Sequence, residues 1–289
     1  MPWRAACGWG SGIPMTDGTP AGRPDIRLIA CDMDGTLLDS RKRLPPRLDP
    51  VLAELHRRGI RFVISSGRQY YNLLTVMQGR VEGLTYIADN GTMAFEGGRN
   101  LFADELDLGR LQQAVAAVRA VPHAHIILCG VESAYYEGGG TAVRDNARMY
   151  YERLQTVPDV TAVLGRDRIC KVAVFDEGDA ETQSYPALQP LSAAFRVTLS
   201  GAHWVDLSNP NACKGTALRF LQRRYGIEPV ACMAFGDYLN DASMMAACGV
   251  GFAMANAHPD LKRLCGRVTQ GTNDEDGVLR TLCSYLGLD

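Results

Sequence analysis

The sequence predicts an α/β protein: a doubly wound parallel sheet carrying an inserted α+β domain. Three observations point there. Short apolar runs alternate with helically spaced apolar residues at both ends of the chain. Those runs stop at clusters of polar residues and glycine, as strands of an open parallel sheet stop at a binding crevice. Between the two alternating stretches lie several adjacent strand-like runs with hairpin-like turns.

The first strand is "IRLIAC", Ile26 to Cys31, a short buried-strand pattern. In "PPRLDPVLAELHRRG", Leu48, Val51, Leu52 and Leu55 recur at i, i+3, i+4 and i+7, so one helix face is apolar, and Gly59 is placed to end it. "IRFVIS" is a second strand ending at "SGR", "YYNLLTVMQ" a helix, and "TYIA" a third strand ending at "DNG". The middle section opens with "TMAFEGGRNLF", a hairpin around Gly97 and Gly98. It continues with a helix over Leu108, Leu111, Val115 and Val118, strands at "HIILC" and "SAYYEG", a helix near "ARMYYERL", and a strand "CKVAVF". A helix around "YPALQPLSAA" and strands "FRVTLS" and "HWVDLS" close it. After Asn211 the alternation returns, with helices at "CKGTALRFLQRRYG", "NDASMMAACG", "PDLKRLCG" and "EDGVLRTLCSYLG" and strands at "ACMAFGD" and "VGFAM". The expected division is a disordered leader at 1–24, a core domain from 25–91 and 201–289, and an inserted domain at 92–200.

The chain's 289 residues, 46% of them hydrophobic, suffice for a large core. A formal charge of -2 without a long basic run gives no electrostatic support to a nucleic-acid or membrane-surface partner. Nine cysteines without a CxxC pair suit reduced thiols in the cytoplasm better than a disulfide framework or a zinc site. No apolar run is long enough to span a bilayer. The Gly- and Pro-rich leader lacks the apolar stretch of a signal peptide and reads as an extension upstream of a natural start at Met15.

Polar residues collect in four segments: "DMDGT" (Asp32 to Thr36), "SSGR" (Ser65 to Arg68), "NACKG" (Asn211 to Gly215) and "GDYLND" (Gly236 to Asp241). Each alone is ordinary turn or cap chemistry. Together, at strand ends and a helix start of one alternating pattern, they are expected to converge on one crevice. There Asp32, Asp34, Asp237 and Asp241 repel one another unless a divalent cation sits among them. Oxygen ligands of this kind suit Mg²⁺. Lys214 and the helix N-termini after Gly35 and Gly67 add positive potential for a phosphate group.

These segments resemble the four ordered motifs of the haloacid dehalogenase superfamily. The tail "GFAMANAHPDLKRLCGRVTQGTNDEDGV" is similar to its Cof-type branch, and an insertion between the second and third motifs resembles a type-IIB cap. The resemblance implies a Rossmann-like core, Mg²⁺ as cofactor and an aspartyl-phosphate mechanism. Asp32 would be the nucleophile and Asp34 the general acid and base. Ser66 and Gly67 would hold phosphate oxygens, and Lys214 would bridge the nucleophile and the phosphate. Asp237 would bind the metal with Asp32 and the backbone carbonyl of Asp34, and Asn240 and Asp241 would orient the metal or its waters. The acid at position 34 argues against carbon–halogen chemistry.

Among inserted-domain residues, Tyr135, Tyr136, Arg144, Arg148 and Lys171 are candidate substrate contacts. The plainer readings are core packing for at least one tyrosine, a solvated helix face for the arginines and a surface position for Lys171. Asn90 in "DNG" is a hinge or turn residue beside the site. His123, His125 and His203 form no catalytic pair, and Trp204, Met244 and Met245 read as core. The function expected is a Mg²⁺-dependent phosphatase of small phosphorylated metabolites, sugar phosphates first, acting as monomer or homodimer. The alternatives are a phosphomutase of the same superfamily and a non-catalytic protein that binds a phosphorylated metabolite.

Overall fold

A computed structural model describes residues 24–288. The expected leader, but for Pro24, and the Met15 start lie outside the described residues. The described residues form two compact units. One comprises residues up to Gly67, Gly79–Arg99 and Cys213 onward; the other comprises Arg68–Gln78 and Asn100–Ala212.

In chain order the elements are β1 (Leu28–Asp32), α1 (Leu48–Arg57), β2 (Arg61–Ser65), α2 (Tyr70–Val76), β3 (Leu84–Ala88), β4 (Met93–Glu96) and β5 (Arg99–Ala103). Then come α3 (Leu108–Arg119), β6 (Ala124–Gly130), β7 (Ala134–Tyr136), α4 (Thr141–Tyr150), β8 (Leu154–Thr156), β9 (Ile169–Asp176), α5 (Ser184–Leu188), β10 (Arg196–Gly201) and β11 (Trp204–Ser208). The chain ends with α6 (Lys214–Tyr225), β12 (Cys232–Gly236), α7 (Ala242–Met245), β13 (Val250–Ala253), α8 (Pro259–Cys265) and α9 (Gly277–Leu286).

The first unit is built on six strands, β13-β12-β1-β2-β3-β4, of a sheet whose seventh strand is β5. β1 pairs in parallel with β2 and β12, and every residue of β1 and β12 is buried. Continuous apolar runs are what a parallel sheet covered on both faces requires. Helix α1 buries Leu48, Val51 and Leu55, carries Asp49 in its first turn, and ends on His56 and Arg57, which complement the helix dipole.

The second unit is built on a six-stranded sheet in the order β10-β11-β9-β6-β7-β8. Its central strand β9 alternates between two cores. Val172 and Val174 pack with Leu111, Val115 and Val118 of α3, while Ala173 and Phe175 pack with Val143 and Ala147 of α4. Period-two alternation with a helix on either face is the reason a strand this apolar is stable here.

The structure corrects several expectations. The hairpin at Gly97 and Gly98 belongs to the seven-stranded sheet: β4 pairs antiparallel with β3, Thr85 opposite Glu96. The first unit therefore runs to Arg99 rather than to Gly91, and the second to Ala212 rather than to 200. A turn signal fixes a local reversal, not the sheet that the two strands join. Lys171 is buried, not on the surface; its ammonium lies 3.7 Å from Asp206 Oδ2 and over the Tyr151 ring. Tyr135 and Tyr136 are both buried, in the two different cores, whereas Arg144 and Arg148 are solvent-exposed. The helix expected through Ala194 breaks next to Pro190 into α5 and a 3₁₀ turn at Gln189–Ala193, since proline cannot donate within a helix.

Candidate active site

Parallel strands bring the polar segments to one end of the first unit's sheet. Asp32 is the last residue of β1 and pairs in register with Ser65, so Ser66 begins the loop beside it. β12 runs parallel on the other side, Cys31 opposite Phe235, and releases Asp237 at the same end. Lys214 is the first residue of α6, and Asp241 closes the 3₁₀ turn Leu239–Asp241.

One oxygen from each of the Asp32, Asp237 and Asp241 carboxylates lies within 4.8 Å of the others. The Lys214 ammonium donates to Asp32 Oδ1 at 2.5 Å and to Asp241 Oδ1 at 2.6 Å. The other oxygen of Asp241 accepts the backbone amides of Asp237 and Tyr238 at 3.0 and 3.2 Å. Asp241 thus ties the lysine to the loop that carries Asp237. Thr36 Oγ1 donates to Asp237 Oδ1 at 3.4 Å. Three carboxylates against one ammonium leave excess negative charge in a buried space. Burial and the Asp241 carboxylate push Asp32 up to about 8 against the opposing pull of Lys214. Burial and Asp241 likewise push Asp237 up to about 6. For Lys214, burial pulls downward, but Asp241 and Asp32 outweigh it and hold the ammonium charged. The donor set is all oxygen and anionic, so a hard divalent cation fits the cluster.

Two glycines let backbone close in. Gly35 has φ +77°, and a Cβ there would stand 2.3 Å from Asp237 Oδ2. Gly91 has φ +96°, and a Cβ would stand 2.6 Å from the Lys214 amide nitrogen. The "DNG" turn therefore packs against the start of α6, and Asn90 is more than a turn residue. Its backbone amide donates to Ser66 O at 2.9 Å, and its Oδ1 accepts Asn240 Nδ2 at 3.2 Å. A Cβ on Gly67 would meet the Asn90 side chain at 3.0 Å.

The sequence-predicted residues are not all gathered at the carboxylate cluster. Asp34 turns its carboxylate to Lys42, with Lys42 Nζ 2.7 Å from Oδ1. Asn240 gives its side-chain amide to Asn90. Sequence reasoning missed Thr36, Lys42 and Asn256. Asn256 Nδ2 donates to Gly35 O at 2.8 Å, and its Oδ1 accepts the Asn273 amide at 3.1 Å. Asn273 Nδ2 in turn donates to Leu38 O at 2.9 Å. The signal lies in the two tail segments around Asn256 and Asn273: they brace the loop after β1.

The profile of the haloacid dehalogenase-like hydrolase family matches residues 29–282. The chain belongs to that family. It is 32% identical to the Escherichia coli protein named 5-amino-6-(5-phospho-D-ribitylamino)uracil phosphatase YbjI, over 90% of this chain and 96% of that one. It is 27% identical to phosphatase YwpJ of Bacillus subtilis, over 88% of this chain and 97% of that one. A solved structure from Eubacterium rectale superposes with a TM-score of 0.81 at 29% identity, covering 90% of this chain and 99% of that one. The chain is thus an enzyme, a Cof-type hydrolase of the haloacid dehalogenase family with an α/β core and an inserted cap domain. Among the described residues no helix is long and apolar enough to cross a membrane.

Proposed function

We propose that this hydrolase is a Mg²⁺-dependent phosphatase of small phosphorylated metabolites, with sugar and polyol phosphates the first candidates. The observation that carries the reading is the buried Lys214 ammonium held between Asp32 and Asp241 at 2.5 and 2.6 Å, beside Asp237. A carboxylate can approach an anionic phosphate only where positive charge is fixed in advance, and such preorganised electrostatics is usually the largest catalytic contribution.

In this reading Asp32 Oδ attacks phosphorus and the ester oxygen departs with the bonding electrons. Asp34 delivers a proton to that oxygen. It then takes a proton from a water that attacks the aspartyl-phosphate, which returns Asp32 and releases inorganic phosphate. Ser66 and the Gly67 amide hold phosphate oxygens, and Lys214 bridges nucleophile and phosphate. Asp32, Asp237, Asp241 and the Asp34 carbonyl would hold Mg²⁺. The cation would neutralise phosphate charge and align it for in-line attack. Asn240 is assigned to ordering this end of the site through Asn90.

The substrate class draws support from the ribityl phosphate named for the Escherichia coli relative. A panel of phosphate monoesters, assayed for released phosphate with Mg²⁺ and with EDTA, tests the reading. It predicts turnover of sugar or polyol phosphates only with the cation. Tight binding of an ester without turnover under either condition would overturn it.

A further inference from the structure

The loop after β1 is built around one carboxylate. Asp39 Oδ1 accepts the amides of Arg41 and Arg43 at 2.9 and 2.8 Å, and Oδ2 accepts Arg43 Nε at 2.7 Å. The Asp39 backbone closes the turn: its amide donates to Arg43 O at 3.1 Å and its carbonyl accepts the Lys42 amide at 2.9 Å. From outside the turn, Asp274 Oδ1 accepts the Ser40 amide at 2.7 Å. Lys42 occupies the apex with φ +61°, a region a side-chain-bearing residue seldom adopts. From this conformation the side chain folds back to place Nζ 2.7 Å from Asp34 Oδ1. Asp34 is absent from the cluster formed by Asp32, Asp237 and Asp241.

We infer that Lys42 is a positioning residue that aims the Asp34 carboxylate away from the metal-binding aspartates and toward the leaving group. The inference rests on the acid–base role proposed above for Asp34. The clustered carboxylates of Asp32, Asp237 and Asp241 push a fourth outward, and a cation on the outer side fixes where it settles. The pair is partly exposed, with side chains 58% and 35% accessible, so its hold is loose and the expected effects are moderate.

Leaving-group chemistry separates aim from structure. When a sugar or polyol phosphate is cleaved, the departing alkoxide must receive a proton as the P–O bond breaks. When p-nitrophenyl phosphate is cleaved, the phenolate departs without one. Hydrolysis of the aspartyl-phosphate, with Asp34 as base, is common to both esters, so kcat/KM, which reports cleavage of the ester bond, is the readout: a residue that aims the acid should lower it for the first ester and not for the second. The experiment measures kcat and KM for Lys42→Met, Lys42→Gly and Lys42→Arg, with Asp34→Asn as comparator. The substrates are p-nitrophenyl phosphate and the fastest alkyl ester of the panel. Lys42→Met and Lys42→Gly should lower kcat/KM on the alkyl ester about fivefold, the upper end of the range for a partly exposed ion pair. They should change kcat/KM on p-nitrophenyl phosphate less than about twofold, and Lys42→Arg should retain kcat/KM on the alkyl ester. Lys42→Gly suits the left-handed backbone, so a loss there is the amine's and not the turn's. Equal losses on both esters, or no loss on either, while Asp34→Asn does discriminate, would overturn the inference alone. If Asp34→Asn also fails to discriminate, the acid–base assignment falls and this inference with it.

Discussion

Lys214 Nζ and Asp241 Oδ1 lie 2.6 Å apart with neither side chain accessible to solvent, and the same ammonium reaches Asp32 at 2.5 Å. A single cation thus serves two acids that come from different ends of the chain. Replacing Lys214 with Met should strand both carboxylates. Breaking a buried pair by removing one partner costs about 3–5 kcal/mol. Urea unfolding in EDTA should show a loss of that order, and phosphate release should fall by at least about a hundredfold.

Asp32→Asn preserves shape and removes the proposed nucleophile. Phosphate release should drop by at least roughly two to three powers of ten on every ester of the panel. Thermal stability should not fall, because a buried, mutually repelling carboxylate is replaced by a neutral amide. Retained turnover would remove the nucleophile from the scheme.

Stability should depend on pH in a direction set by Asp32 and Asp237. Both are raised from 3.8, to about 8 and about 6, by burial and by the Asp241 carboxylate. The folded state therefore holds these protons more tightly than the unfolded chain. The resulting stability is complete below the unfolded value and is lost as pH climbs through the folded ones. In EDTA the melting temperature should decline between pH 4 and 8, from this contribution. With excess Mg²⁺ the decline should be shallower, because a bound cation favours the ionised carboxylates. Scanning calorimetry across this range with and without Mg²⁺ checks both signs. Identical curves would argue against a cation at these residues.

Gly35→Ala tests the close approach of the loop after β1 to Asp237. The new methyl would stand 2.3 Å from Asp237 Oδ2 at a backbone φ of +77°. The left-handed backbone alone should cost roughly 1–2 kcal/mol. Displacement of Asp237 should weaken Mg²⁺ activation further. A titration of activity against Mg²⁺ should shift to higher concentration, whereas Gly97→Ala, at a glycine whose Cβ would meet nothing within 4 Å, should leave that titration unmoved.

Much of this was legible because the chemistry is concentrated where strands stop. β1, β2, β3 and β12 could be read from short apolar runs, and Asp32, Ser66 and Asp237 from the polar residues at their ends. Lys214 was legible from its place at the start of an amphipathic helix. Register did the rest, since adjacent parallel strands bring their last residues together without help from the loops. Other features had no such signal. The hairpin of β4 and β5 looks the same in either sheet, and only its antiparallel pairing with β3 assigns it. The burial of Lys171 depends on Asp206, which faces it from a separate strand. The Lys42–Asp34 pair depends on a backbone conformation that composition and periodicity do not encode.

The separation of 182 positions from Asp32 to Lys214 has a consequence for biosynthesis. Strand β1 leaves the ribosome early, while β12, which must cover one of its two edges, is among the last strands made. A nascent chain stalled after the insertion would present an apolar strand with an open flank, a template for aggregation. Newly made molecules should therefore depend on chaperone protection until the C-terminal strands arrive.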